Sequence, residues 1–173
     1  DEPHLLNIAD AVPPQGHLVT GLVRYEFTSP RSHRAYNSMF VINKKAEIVD
    51  YYDKSHLVPF GEYIPLRSWL PQWIRPVANA IGTFKAGSGP RRISVPGLPS
   101  FGGLICYEII FPHQIINPNE RPQWLINLTN DGWYGESAGP YQHLVTTQLR
   151  AVEEGISIAR VANTGISALI SPF

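Results

Sequence analysis

Phe101-Gly102-Gly103-Leu104-Ile105-Cys106-Tyr107-Glu108-Ile109-Ile110-Phe111-Pro112 reads as a short buried strand that stops at a cysteine and turns toward a helix. α/β enzymes place a nucleophile at such a junction. The helix amino terminus carries partial positive charge, which activates a thiol beside it. Cys106 is the one cysteine in the chain, so no intramolecular disulfide accounts for it. Two readings are open, a reactive thiol or a small apolar core residue, and the rest of the sequence decides between them.

Upstream, His17 to Tyr25 reads as a strand and Thr28 to Arg34 as a polar loop. Tyr36 to Ile42 and Glu47 to Tyr52 form a hairpin through Asn43 to Ala46. Ile93 to Val95 is a further short strand. Downstream, a short helix is expected around Phe111 to Ile116, then a compact strand from Trp124 to Leu128. Pro140 to Glu154 places Leu144, Val145, Leu149 and Val152 at helical spacing, and Gly155 closes that helix. Strands from Ile156 to Ala162 and Ile166 to Ile170 flank a turn at Asn163-Thr164-Gly165. The mixture is α/β, with hairpins that a purely parallel sheet does not need.

The 173 residues suffice for one domain with a sizeable core. Lys+Arg and Asp+Glu both number 14, a formal net charge of zero, so no nucleic-acid partner is expected. No apolar run approaches the ~18–20 residues that span a bilayer, and no signal-peptide pattern opens the chain. The start at Asp1 and the stop just after Ile166 to Ile170 suggest part of a larger domain. The six histidines, His4, His17, His33, His56, His113 and His143, include no pair three or four residues apart on an expected helix. Neither a metal nor another cofactor is expected.

A thiolate nucleophile needs a base and a group that stabilises the oxyanion formed when it attacks a carbonyl. Tyr52-Asp53-Lys54-Ser55-His56-Leu57-Val58-Pro59-Phe60-Gly61-Glu62-Tyr63 sets a lysine and a glutamate just after the hairpin. Lys54 can hold its ammonium over a developing oxyanion, and Glu62 can take a proton. This stretch, Gly103 to Glu108 and Asn127-Leu128-Thr129-Asn130-Asp131-Gly132-Trp133-Tyr134-Gly135 together resemble the nitrilase, or carbon–nitrogen hydrolase, superfamily. Within it, Lys54 to Tyr63, Gly139 to His143 and Arg150 to Gly165 resemble the apolipoprotein N-acyltransferases. The resemblance runs from about His17 to Phe173.

It implies a nitrilase-like four-layer αββα sandwich, here incomplete at both ends, and a Glu–Lys–Cys triad. By that resemblance Cys106 is the nucleophile, Lys54 the triad lysine and Glu62 a further essential acid. Tyr107 and Glu108 support the nucleophile, while Trp133 and Tyr134 line the acyl pocket. The triad's general-base glutamate belongs to a Pro-Glu-(Ser/Thr)-Ala type motif that is not found here. Glu2 has the wrong neighbours for it. The implied reaction moves a fatty acyl chain from a phospholipid, through a Cys106 thioester, to the amine of a diacylglyceryl-cysteine on an apolipoprotein. The implied setting is the periplasmic face of a bacterial inner membrane, with the membrane-spanning region outside this chain.

Other features carry competing readings. Trp69, Trp73, Val77, Ile81 and Phe84 make either a lid that dips into a lipid interface and contacts substrate, or ordinary core packing. Gly135-Glu136-Ser137-Ala138-Gly139 fits the Gly-x-Ser-x-Gly elbow of serine esterases, yet only His143 follows Ser137. Asn127, Asn130 and Asp131 are expected to brace the turn after their strand through bonds to backbone. Glu153 can pair with Arg150 or Arg160, and Arg91-Arg92 and Arg31 to Arg34 read as solvated charge. Two alternatives to the acyltransferase stay open: a soluble amidase that passes the acyl group to water, and a non-catalytic binding domain of the same fold.

Overall fold

The computed structural model describes residues 10–29, 32–66, 69, 71 and 83–173. Among these residues, eight strands fall into two sheets. The first is an antiparallel meander of β1 (His17–Ser29), β2 (Ser32–Asn43) and β3 (Ile48–Asp53). The second contains β4 (Arg92–Ile93), β5 (Phe101–Ile105), β6 (Trp124–Asn130), β7 (Ser157–Asn163) and β8 (Ala168–Ile170), in that spatial order. Strands β5, β6 and β7 run parallel, flanked by antiparallel β4 and β8. Helix α1 (Gly139–Glu154) makes the crossover from β6 to β7.

Period-two alternation sorts the side chains of the second sheet between two cores. Phe101, Ile105 and Ile126 face the first sheet and pack with Met39, Val41 and Tyr52. Leu104, Leu125 and Ile158 point the other way and pack with Ala151 of α1 and with Ile109, Ile115 and Ile116. Of the four layers expected, two sheets and one helical layer thus lie among the described residues. The sheets approach closely at Gly103, where a Cβ would stand 3.0 Å from Met39 Sδ and 3.2 Å from the Tyr52 ring.

On β1, Arg24 reaches across to β3 and donates to both carboxylate oxygens of Asp53, at 3.0 and 2.6 Å. Its guanidinium also lies over the rings of Tyr36 and Tyr51, 4.2 and 4.9 Å from their centroids, a geometry suited to arginine. The Asp53 carboxylate raises the Arg24 pKa further above its ordinary value. Ser38 Oγ donates to the same carboxylate at 2.5 Å. The residue before Lys54 is therefore fixed from both other strands of its sheet.

Several expectations change. The segment from Thr28 to Arg34 is no long loop, because β1 runs on to Ser29 and β2 begins at Ser32. The helix expected at Phe111 to Ile116 lies earlier and is shorter, a 3-10 helix over Cys106–Ile110. Pro112 forces the residue before it out of helical backbone, and Phe111 is extended at φ −89°, ψ 110°. Arg91 pairs with Asp50, and Arg34 lies 3.7 Å from Glu26 at the surface. Arg150 pairs with Glu153 at 2.9 Å. Arg31, Trp73, Val77 and Ile81 lie outside the described residues.

Gly103→Val overpacks the inter-sheet core and should cost about 1–3 kcal/mol. A urea midpoint unchanged from wild type would show that the sheets can separate freely.

Candidate active site

The carboxyl ends of parallel strands are where open α/β sheets place ligands. Cys106 follows β5 immediately and has a left-handed backbone, φ 49°, which costs a non-glycine residue roughly 1–2 kcal/mol. That conformation swings the chain from strand to 3-10 helix within one residue. The helix spans five residues, so it is shorter than the sequence suggests and its dipole correspondingly smaller.

Glu108, one turn on, is only 2 % exposed and explains how the site is assembled. Its Oε1 accepts hydrogen bonds from Tyr52 OH at 2.7 Å, Ser55 N at 2.8 Å, Ser55 Oγ at 2.8 Å and His56 N at 3.1 Å. Its Oε2 accepts from Ile105 N at 2.8 Å, closing back on the start of the cysteine turn. One carboxylate thus ties the loop that carries Lys54 to the strand that delivers Cys106. Charge-assisted bonds of this kind are about twice as strong as neutral ones. Burial first, and then the neighbouring Glu108 charge, push the Tyr52 phenol far above the usual range.

Lys54 is 2 % exposed, and its Nζ lies 2.8 Å from Glu62 Oε2. The same Glu62 oxygen accepts Val58 N at 2.9 Å, and Oε1 accepts Asn37 Nδ2 at 2.8 Å. Asn37 also accepts the Lys54 amide through its own carbonyl, at 2.9 Å. The sequence reading did not single out Asn37. Its one sequence signal is an amide side chain inside the strand-like run from Tyr36 to Ile42.

Lys54, Glu62, Cys106, Tyr107, Trp133 and Tyr134 line a single cavity of about 1020 Å³. Its remaining wall is largely apolar and includes Val19, Leu22 and Val23 of β1 with Leu128 and Val161 of β6 and β7. Glu108 lies behind this wall as a brace, and Trp69, 84 % exposed, is not brought to it. Partial burial pushes the Tyr134 phenol up, and nearby Cys106 and Asp131 add to the effect.

The turn that carries Trp133 and Tyr134 stands on a buried polar cluster. Arg160 donates to Asp131 Oδ2 at 2.7 Å, Asn127 Oδ1 at 2.8 Å and the Ile166 carbonyl at 3.2 Å. His143 Nδ1 lies 2.9 Å from Asp131 Oδ1. Asn130 does accept from a backbone amide, Gly132 N at 3.1 Å. Asn127 and Asp131 instead bind side chains, a correction to the expected bonds to backbone. Ser137 Oγ accepts Gly139 N at 3.1 Å, a turn contact, while His143 is committed to Asp131. The serine-esterase constellation is not assembled.

The family model described as carbon-nitrogen hydrolase matches residues 6–173. The chain is 45% identical over 172 residues to the apolipoprotein N-acyltransferase of Bradyrhizobium diazoefficiens, covering 97% of this chain and 32% of that protein. It is 43% identical over 171 residues to that of Rhodopseudomonas palustris, again covering 97% and 32%. The chain therefore spans about a third of the length of the curated relatives it matches. Among solved structures, the NitN amidase of a Nesterenkonia species superposes with a TM-score of 0.61 at 20% identity, over 98% of this chain and 60% of that one. A variant of that amidase shows covalent addition of the acetamide moiety of fluoroacetamide at its active site cysteine, with a TM-score of 0.62, 20% identity, and coverage of 98% and 57%. At that identity the likeness establishes the fold.

Two measurements check the buried groups. Tyr52 has a raised folded pKa, so its contribution to stability is complete below the free phenol's pKa of 10.0. Above that pH the unfolded chain releases the proton while the folded chain keeps it. Stability should then fall by about 1.4 kcal/mol per pH unit more steeply than in Tyr52→Phe; equal slopes would contradict the assignment. Arg160→Met strands the buried Asp131 and should cost about 3–5 kcal/mol in chemical denaturation. A loss below about 1 kcal/mol would reduce the pair to a surface-like contact.

Proposed function

The chain belongs to the carbon–nitrogen hydrolase family, and we propose that it is the nucleophile-bearing part of an apolipoprotein N-acyltransferase. The observation that carries this reading is the cavity itself. Cys106 and the Lys54–Glu62 pair share it with a largely apolar wall, which suits a fatty acyl chain better than a small amide. The relatives of that name at 45% and 43% identity support the same reading.

In this mechanism Cys106 Sγ attacks the acyl ester carbonyl of a phospholipid. Lys54 and the Tyr107 backbone N–H face the oxyanion that forms. The ester C–O bond breaks, the lysophospholipid leaves with a proton, and a thioester remains. The amine of an apolipoprotein's diacylglyceryl-cysteine then attacks the thioester carbonyl. The C–S bond breaks, an amide forms, and the amine proton is passed on as the thiol is restored, completing a two-step transfer. Glu62 is placed to hold Lys54 and to relay protons, and the triad's own glutamate comes from sequence outside residues 1–173. The domain so completed is a nitrilase-like catalytic domain facing the bacterial periplasm, with membrane-spanning segments elsewhere in the protein. No helix among the described residues is long and apolar enough to cross a membrane. Exposed Trp69 suits contact with the lipid interface; Trp73, which the sequence pairs with it, lies outside the described residues.

The test is the intact mass of the protein in detergent after incubation with a defined phospholipid, before and after neutral hydroxylamine. A labile fatty-acyl increment, absent in Cys106→Ser and formed at least about 100-fold more slowly in Lys54→Met, is the expected result. Turnover of a short amide with no such increment would move the assignment to an amidase. Silence in both assays would favour a non-catalytic domain.

A further inference from the structure

The inner face of the first sheet carries a row of residues in register: Tyr52 pairs with Met39, and Met39 with Gly21. Tyr52 and Met39 are buried in the inter-sheet core, 2 % and 0 % exposed. The third position of the row has no side chain. The adjoining row, Val41 with Val19, is filled, and Val19 packs against the same core. In this row, packing between the sheets therefore ends at Met39, and the cavity begins at Gly21, which lines it together with Val19 and Val23.

No backbone requirement explains this glycine. It is absent from the positions of positive φ, and it sits inside a 13-residue antiparallel strand. Such a place favours β-branched residues, and a glycine there weakens the strand. Nor does packing exclude a side chain, since the nearest atom to a Cβ built on Gly21 is Ser38 O at 4.0 Å. A strand glycine of this kind marks a place that a ligand approaches closely. Across the slot, Ile105, Leu128 and Val161 form an apolar row in register on β5, β6 and β7, and Cys106 follows Ile105 directly. This row leads from the nucleophile across the second sheet.

We propose that Gly21 is a specificity-determining residue: the space it leaves between the sheets receives the distal part of the acyl chain carried by Cys106 and sets the chain length accepted. The inference rests on the reading of the cavity as an acyl site and adds a gauge to it.

The test compares wild type, Gly21→Ala and Gly21→Val, each in detergent, by the burst of nitrophenolate released as p-nitrophenyl butyrate or palmitate acylates Cys106. Because valine favours strands, Gly21→Val should melt at or above the wild-type temperature, which separates a blocked site from a misfolded one. Acylation by the palmitoyl ester should fall about 10-fold or more in Gly21→Val, with alanine intermediate, while the butyryl ester changes by no more than about twofold. An unchanged ratio between the two esters, whether both rates hold or both fall together, would overturn the inference. A nitrophenyl ester needs no lipid headgroup. A shifted ratio therefore upholds the gauge even if phospholipids leave Cys106 unmodified, an outcome that would overturn the phospholipid reading alone.

Discussion

The site depends on the Glu108 carboxylate. Lys54 and Cys106 sit at the ends of strands in different sheets; Tyr52 and Ile105, just before them, belong to one inter-sheet core, and beyond that core a polar group must lock the two ends together. Glu108 does so by accepting five hydrogen bonds, four from Tyr52, Ser55 and His56 on the Lys54 side and one from Ile105 on the Cys106 side. Buried carboxylates are costly to desolvate and are retained where every acceptor site is used. Here that cost is offset by holding the lysine loop and the cysteine turn as one body.

The remaining features build on that junction. With the turn at Cys106 fixed, its left-handed backbone can be sustained, and Cys106, packed against the edge of the inter-sheet core, lines the cavity. Glu62, in the loop after β3, then holds Lys54, and Asn37 of β2 holds Glu62. Asp131, Arg160 and His143 stabilise the opposite wall from beneath. The polar groups gather at one region of the slot, and the apolar rows of both sheets continue away from it. A reactive carbonyl with a long apolar tail matches that division, and a small polar amide uses only part of it.

Much of this was legible in the sequence because its signals are local. The run from Phe101 to Cys106, the hairpin before Lys54 and the helix from Gly139 each announce themselves within a few residues. The three motifs carrying Lys54, Cys106 and Trp133 identified the family that the comparisons then showed. What escaped depends on contacts distant in the chain. Glu108 meets Tyr52 across 56 positions, and Arg160 meets Asn127 across 33. No periodicity reports such pairings, so Asn127 and Asp131 were read as turn residues, and Asn37 and Gly21 passed unnoticed. The misplaced helix after Cys106 has a local cause, the constraint that Pro112 puts on Phe111, which was present in the sequence and underweighted.

Under the proposed roles, Glu108 acts on Cys106 acylation through the position of Lys54. A double-mutant cycle on the rate of Cys106 acylation tests it most directly, using Glu108→Gln, Lys54→Met and the pair. If the claim holds, the double variant reacts as slowly as Lys54→Met alone, because removing the clamp costs nothing further once the lysine is gone. Independent losses that multiply in the double variant would contradict it and assign Glu108 a role separate from the lysine.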